Sequence, residues 1–152
     1  MIIRKATKKD ISTILELCKE LQKDVIKGIP KNLRGFDTIL PKKMLMERIN
    51  DKNALSLVVE ENGVVVGYNL NKIEITFGDT SDIKQGKISE IYISKKFRGK
   101  SISTLLYQEA LKWFKDNGCE YIQLNVYENN PAKDIYIKWG FKPFSLNMKK
   151  QI

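Results

Sequence analysis

The chain has 152 residues, 42% of them hydrophobic, with 27 Lys and Arg against 18 Asp and Glu and no His, for a formal net charge of +9. That length and apolar content suit one domain with a buried core, residues 1–152, and no stretch approaches the roughly 20 uncharged apolar residues that span a bilayer. The charge favours anionic partners, a phosphorylated cofactor or nucleic acid among them, while two distant cysteines, Cys18 and Cys119, leave metal-site and Cys–His nucleophile chemistry without partners.

Residues 2–6 read as a short strand, and Arg4 and Lys5 arrive too early for a secretory signal, so a cytoplasmic protein is expected. Thr7-Lys8-Lys9-Asp10 has the form of a capping box with Asp in place of Glu. Ile11, Ile14, Leu15, Leu17, Cys18 and Leu21 then repeat at helical spacing, which predicts a first helix with one buried face. From 24 to 41 the pattern dissolves at Gly28, Pro30, Gly35 and Pro41, predicting a loop long enough to serve as a substrate lid. A second helix is predicted over 42–50.

Residues 55–60 and 64–75 are β-rich runs on either side of Asn62-Gly63, a hairpin signal. The polar segment 78–82 turns the chain into a third run ending at Ile93, so the three runs make an antiparallel meander. A helix over 102–116 stops at Asn117-Gly118, a usual C-terminal cap pairing. Residues 121–126 then read as a strand, 131–139 as a helix ended by Gly140, and 141–148 as a last strand. Strand, helix and strand across 88–126 form a βαβ unit, so the fourth and fifth strands are expected to be parallel neighbours.

The segment Arg98-Gly99-Lys100-Ser101-Ile102-Ser103 lies between the β-branched run 88–93 and the helix that follows. A strand that turns on small residues into a helix leaves backbone N–H groups pointing above the turn, where the helix dipole favours negative charge. That makes it a phosphate seat. Downstream, at fixed distance, lie Asn129-Asn130-Pro131-Ala132, Tyr136 and Gly140-Phe141.

Together these residues resemble the GCN5-related N-acetyltransferase (GNAT) family. The family's loop pattern of Arg or Gln, two residues, Gly, one residue, then Gly or Ala falls on Arg98, Ser101 and Ser103. Its second block matches Asn129, Ala132, Tyr136, Gly140 and Phe141 without a gap. The resemblance implies an α/β fold: a mixed sheet of six to seven strands with an antiparallel N-terminal meander, parallel and splayed strands four and five, and about four helices. It implies acetyl transfer from acetyl-coenzyme A to a primary amine of a small molecule, peptide or protein, by direct attack without an acyl-enzyme.

On that resemblance the amides of Arg98, Gly99, Lys100, Ser101, Ile102 and Ser103 hold the pyrophosphate, with Arg98 and Lys100 adding charge. Ile91, Tyr92 and Ile93 pair with the pantetheine arm, and Asn129 and Ala132 meet the cofactor near the sulfur, though Asn129 or Asn130 equally suits a helix cap. Tyr136 matches the tyrosine that protonates the leaving thiolate, a role that suits a phenol because it stays protonated at neutral pH.

Two serines depart from the pattern. A Ser Cβ narrows the backbone choices that Gly permits, but a helical start needs no left-handed conformation and Ser is a good N-cap, so cofactor binding is expected to survive at Ser101 and Ser103.

Strand alternation puts Glu90, Tyr92 and Ser94 on one face, opposite Ile91 and Ile93, and Glu90 is a carboxylate able to take the proton of the acceptor amine. Its plainer role is an ion pair with a nearby Lys. Trp113 and Trp139 read as core, while Phe36, Asp37 and Tyr68 are assigned to the acceptor pocket. Two other functions compete: a basic nucleic-acid-binding module, with a tRNA-linked amine as its enzymatic variant, and a coenzyme-binding domain without catalysis. The acceptor is not identified by the sequence, and the oligomeric state, a homodimer included, is open.

Overall fold

The computed structural model describes residues 1–29, 40–76, 82–150 and 152. In chain order the elements are β1 (Ile2–Lys5), α1 (Ile11–Lys27), α2 (Lys42–Asn50), β2 (Ala54–Glu61), β3 (Val64–Thr76), β4 (Ile83–Ile93), α3 (Ile102–Asp116), β5 (Tyr121–Gln123) and α4 (Ala132–Lys138). The sheet runs β1-β2-β3-β4-β5, antiparallel throughout except for the parallel pair β4 and β5. No helix among the described residues is long and apolar enough to cross a membrane.

Both faces of the sheet are covered, which is why β2 is buried from Leu55 to Val59 instead of alternating. On one face α1 and α2 pack Ile14, Cys18 and Leu45 against Val58, Tyr68, Leu70 and Tyr92. On the other, Ile102, Leu106, Ala110 and Phe114 of α3 lie over Leu57, Val59, Ile88 and Ile93. Gly86 is required here, because a Cβ at that position would stand 2.5 Å from the Phe114 ring.

Entry into α1 is fixed by the capping box that the sequence predicts. The Thr7 backbone N–H and hydroxyl both donate to the Asp10 carboxylate, at 2.7 and 2.9 Å, and the Arg4 guanidinium forks onto the same group with two contacts of 2.9 Å. Arg4 beside it holds the Asp10 carboxyl well below the usual carboxylate range.

Two expectations are corrected. The sheet among the described residues has five strands, not six to seven: β5 pairs over only three positions before diverging from β4, and residues 142–150 join no strand. The first helix does not dissolve at residue 24 but continues to Lys27, since Leu21, Val25 and Gly28 prolong the apolar stripe and Asp24 is anchored by ion pairs with Lys95 and Arg98. The alternation expected from Glu90 onward holds, with Glu90 and Tyr92 on the α1 face and Ile91 and Ile93 on the α3 face, while just upstream the β3 register passes from Leu70↔Glu90 to Asn71↔Ile88, so Ser89 is an extra residue in a bulge.

Candidate active site

Among the described residues β4 and β5 are joined only at Gln85↔Tyr121, Gly86↔Ile122 and Lys87↔Gln123, so from Ile88 onward β4 has no ladder there on that side. The splay opens a cleft of about 740 Å³. One wall is the end of β4, Ile91, Tyr92 and Ile93, followed by Arg98, Gly99, Ser101, Ile102 and Ser103. The opposite wall is the segment after β5, with Asn129, Ala132 and Tyr136, and the last turns of α1 supply Leu21, Val25 and Gly28. The sequence reading had no place for the α1 wall, though the spacing of Leu21, Val25 and Gly28 carried the signal.

At the mouth of α3 the first intrahelical bond is from the Leu105 N–H to the Ser101 carbonyl, 3.2 Å, which leaves the N–H groups of Ile102, Ser103 and Thr104 without a helix partner. No side chain among the described residues caps them. The helix dipole adds to their positive end, so the mouth is suited to a phosphate.

The backbone that reaches this mouth is left-handed, with φ of +78° at Gly99 and +56° at Ser101. This corrects the expectation that the turn needs no such conformation: Ser101, in place of the small residue the pattern prefers, carries a Cβ where L residues pay about 1–2 kcal/mol. Ser101→Gly is accordingly expected to raise stability by about 0.5–1 kcal/mol, seen as a melting temperature higher by about 1–4 °C. An unchanged or lower melting temperature would show that the serine is not strained.

Arg98 works inside the protein. Its Nε donates to the Ile93 carbonyl at 2.9 Å, its Nη2 meets Asp24 at 2.9 Å, and its guanidinium sits over the Tyr92 ring at 5.1 Å. It therefore ties the end of β4 to the end of α1 and shapes the cleft. Partial burial pushes the Asp24 carboxyl up, but hydrogen bonds from Arg98 and Lys95 hold it below its ordinary value. Lys100 lies outside the cleft lining, with its ammonium over the Phe97 ring at 5.7 Å.

Tyr136 is positioned by α4, which docks on α3 through the Tyr107–Trp139 ring stack, 4.3 Å between centroids, and a hydrogen bond from Trp139 Nε1 to the Thr104 hydroxyl. The Tyr136 ring packs against Trp139 and Phe141, and its hydroxyl makes no hydrogen bond among the described residues. Burial pushes its pKa up. The result is a protonated phenol in the cleft wall with its donor unused.

The two asparagines divide their roles. Asn130 Oδ1 accepts the Ala132 N–H at 2.9 Å and so caps α4, which leaves the Asn129 side chain in the cleft lining.

Glu90 stands on the α1 face of the sheet, outside the cleft lining. Tyr68 Oη and Cys18 Sγ both donate to its Oε2, at 2.8 and 3.3 Å, and the bulge turns Ser89 toward the Arg48 guanidinium at 2.7 Å. No lysine pairs with Glu90 among the described residues. Tyr68 is fully buried, so its hydroxyl orients Glu90 instead of lining an open pocket. Burial, then the charge of Glu90, push the Cys18 thiol up to about 12, so it stays a neutral donor. Neither Tyr68 nor Cys18 uses Glu90 Oε1. Phe36 and Asp37 lie outside the described residues.

With this geometry established, comparison with known proteins finds a match to the profile described as "Acetyltransferase (GNAT) family" over residues 16–141. An N-alpha-acetyltransferase of Sulfurisphaera tokodaii is 31% identical over 78% of this chain and 75% of its own length, and that of Sulfolobus acidocaldarius is 29% identical over 95% and 81%. Among solved structures, a tetramutant of a Bacillus halodurans protein superposes with a TM-score of 0.87 at 23% identity, covering 100% of both chains. An aminoglycoside N-acetyltransferase in complex with CoA superposes at 0.72, with 15% identity, over 99% of this chain and 100% of its own.

Proposed function

The chain belongs to the GNAT acetyltransferase family, whose enzymes use acetyl-coenzyme A, and on that footing we propose that residues 1–152 act as one domain that acetylates the free α-amine of a peptide or protein by direct attack. The observation that carries this is the cleft between the splayed strands, with unpartnered amides at one end and an unused phenol in its wall. The relatives named N-alpha-acetyltransferase support the α-amine in particular.

The residues present fit the coenzyme. The amides of Ile102, Ser103 and Thr104 would hold its diphosphate, the unladdered edge of β4 at Ile91 and Tyr92 would pair with the amide-bearing arm, and Asn129 would meet the end near the sulfur. When bound, the coenzyme supplies a thioester whose carbonyl accepts the amine and whose sulfur departs as a thiolate. Tyr136 holds a proton at Oη for that sulfur, and its buried position keeps the phenol protonated across the neutral range.

Glu90 Oε1 takes the proton of the amine, directly or through water, while Tyr68 and Cys18 fix the carboxylate through Oε2. An α-amine, with a pKa near 8, costs only about 1 kcal/mol to deprotonate at pH 7, against about 4–5 kcal/mol for a lysine. The demand on Glu90 is correspondingly modest.

A panel scored by thiol release tests the proposal: peptides with a free N-terminus, the same peptides N-blocked but carrying lysine, small amines, and charged tRNA. Free N-termini should turn over fastest. Preference for blocked lysine peptides would overturn the acceptor assignment, and coenzyme binding without turnover on any member would return the chain to a non-catalytic role. The charge of +9 supports charged tRNA as the second reading, and turnover confined to it and lost steeply with added salt would favour that acceptor.

A further inference from the structure

Two asparagines lie within an apolar layer. Asn69 and Asn71 of β3 stand opposite Leu57 and Leu55 of β2, on the α3 face of the sheet, and both are fully buried. Burying an amide is unfavourable unless its groups are hydrogen-bonded, and a Leu or Val would suit this layer without that cost. The two amides are instead joined in a line across three strands. Asn71 Nδ2 donates to the Leu55 carbonyl of β2 at 3.2 Å and to Asn69 Oδ1 at 2.6 Å, and Asn69 Nδ2 donates to the Glu90 carbonyl of β4 at 3.0 Å. Asn71 Oδ1 is left without a partner among the described residues.

The line ends where β4 is irregular. Ser89 is the extra residue of the bulge, and a bulge interrupts the ladder and bends its strand, so backbone groups there need partners outside the ladder. Asn69 is that partner for the Glu90 carbonyl. The Glu90 side chain leaves on the opposite, α1 face, where Tyr68 and Cys18 donate to Oε2. Those two fix the far end of the carboxylate, while the amide on the α3 face fixes the root from which it projects. Asn69 thus reaches Glu90 only through the main chain, and neither asparagine lines the cleft.

We propose that Asn69, steadied by Asn71, is a positioning residue for proton removal from the acceptor amine: it holds the bulge in the shape that presents Glu90 Oε1 to the acceptor. The proposal rests on the reading of Glu90 as the base. A misplacement of about 1 Å at the reacting groups costs up to about a hundredfold in rate, so the angle at which the strand delivers the carboxylate matters as much as its chemistry. The strand's own ladder does not set that angle at the bulge, and the buried amide line does.

Asn69→Leu keeps the branched shape and removes the donor. It should lower kcat/KM for a peptide with a free N-terminus by about fivefold to tenfold at pH 7, with the defect shrinking toward pH 9 and coenzyme affinity kept within about twofold. A double-mutant cycle separates aim from packing. In a Glu90→Gln background, where no base is left to aim, Asn69→Leu should cost less than about a further twofold. A pH-independent defect, or one as large with Glu90→Gln as without it, would make Asn69 a packing residue and overturn the proposal. A flat pH profile for Glu90→Gln alone would overturn the reading of the base, and the proposal with it. Should Asn69→Leu fail to fold, Asn71→Leu leaves the donor in place but frees its amide to turn. The same cycle should then show a smaller defect with the same pH dependence, and its absence would equally overturn the proposal.

Discussion

Tyr136→Phe is expected to lower kcat by about a hundredfold or more while leaving coenzyme affinity within about twofold and the melting temperature almost unchanged. The substitution removes one atom. Because the Tyr136 hydroxyl makes no hydrogen bond among the described residues, its loss breaks no structural contact, and the ring keeps its packing against Trp139 and Phe141. What disappears is a proton donor at the point where negative charge develops on sulfur. A uniform fall in kcat and kcat/KM at constant affinity is the signature of a group that acts only in the transition state. Unchanged turnover would return Tyr136 to a packing role on α4.

Glu90→Gln should lower kcat/KM by about tenfold to a hundredfold at pH 7, with the defect shrinking as the pH rises toward 9. Gln is chosen because its side-chain oxygen can still accept from Tyr68 and Cys18, so the α1 face stays packed. The sign follows from the acceptor. Below the pKa of the α-amine, near 8, most of it is protonated and needs a base, and above that value it is neutral without help. A defect constant from pH 6 to 9 would assign Glu90 to structure alone, and a defect confined to lysine acceptors would move the acceptor reading away from α-amines.

Much of this was legible in residue order. The strand runs, the Asn62-Gly63 hairpin and the small-residue turn into α3 are local signals, and local signals set local structure. The second block, from Asn129 to Phe141, pointed to Tyr136 in the cleft wall because its spacing holds the Tyr, the helix and the closing Gly140 together as one local unit. What was not legible depends on distant partners. Arg98 is claimed by Asp24, 74 residues away, so its charge is spent on shaping the cleft. The bulge that turns Ser89 toward Arg48 of α2 arises in the pairing of β4 with β3, and alternation along one strand cannot show it.

Two further features were not legible. Ser101 takes a left-handed backbone against the preference of the residue itself. Residues 141–148 have a strand's alternation but join no ladder among the described residues, since alternation states only that a segment suits a sheet and does not pair it.

The central claim is that the amides at the start of α3 hold the diphosphate and thereby aim the thioester into the gap between β4 and β5. An amide 1H–15N NMR titration with coenzyme A, run beside pantetheine, reads it most directly. Coenzyme A should move the Ile102, Ser103 and Thr104 resonances strongly, and pantetheine, which has the arm but no diphosphate, should leave them in place. Equal shifts from the two ligands, or saturating coenzyme with those three resonances unmoved, would contradict the account.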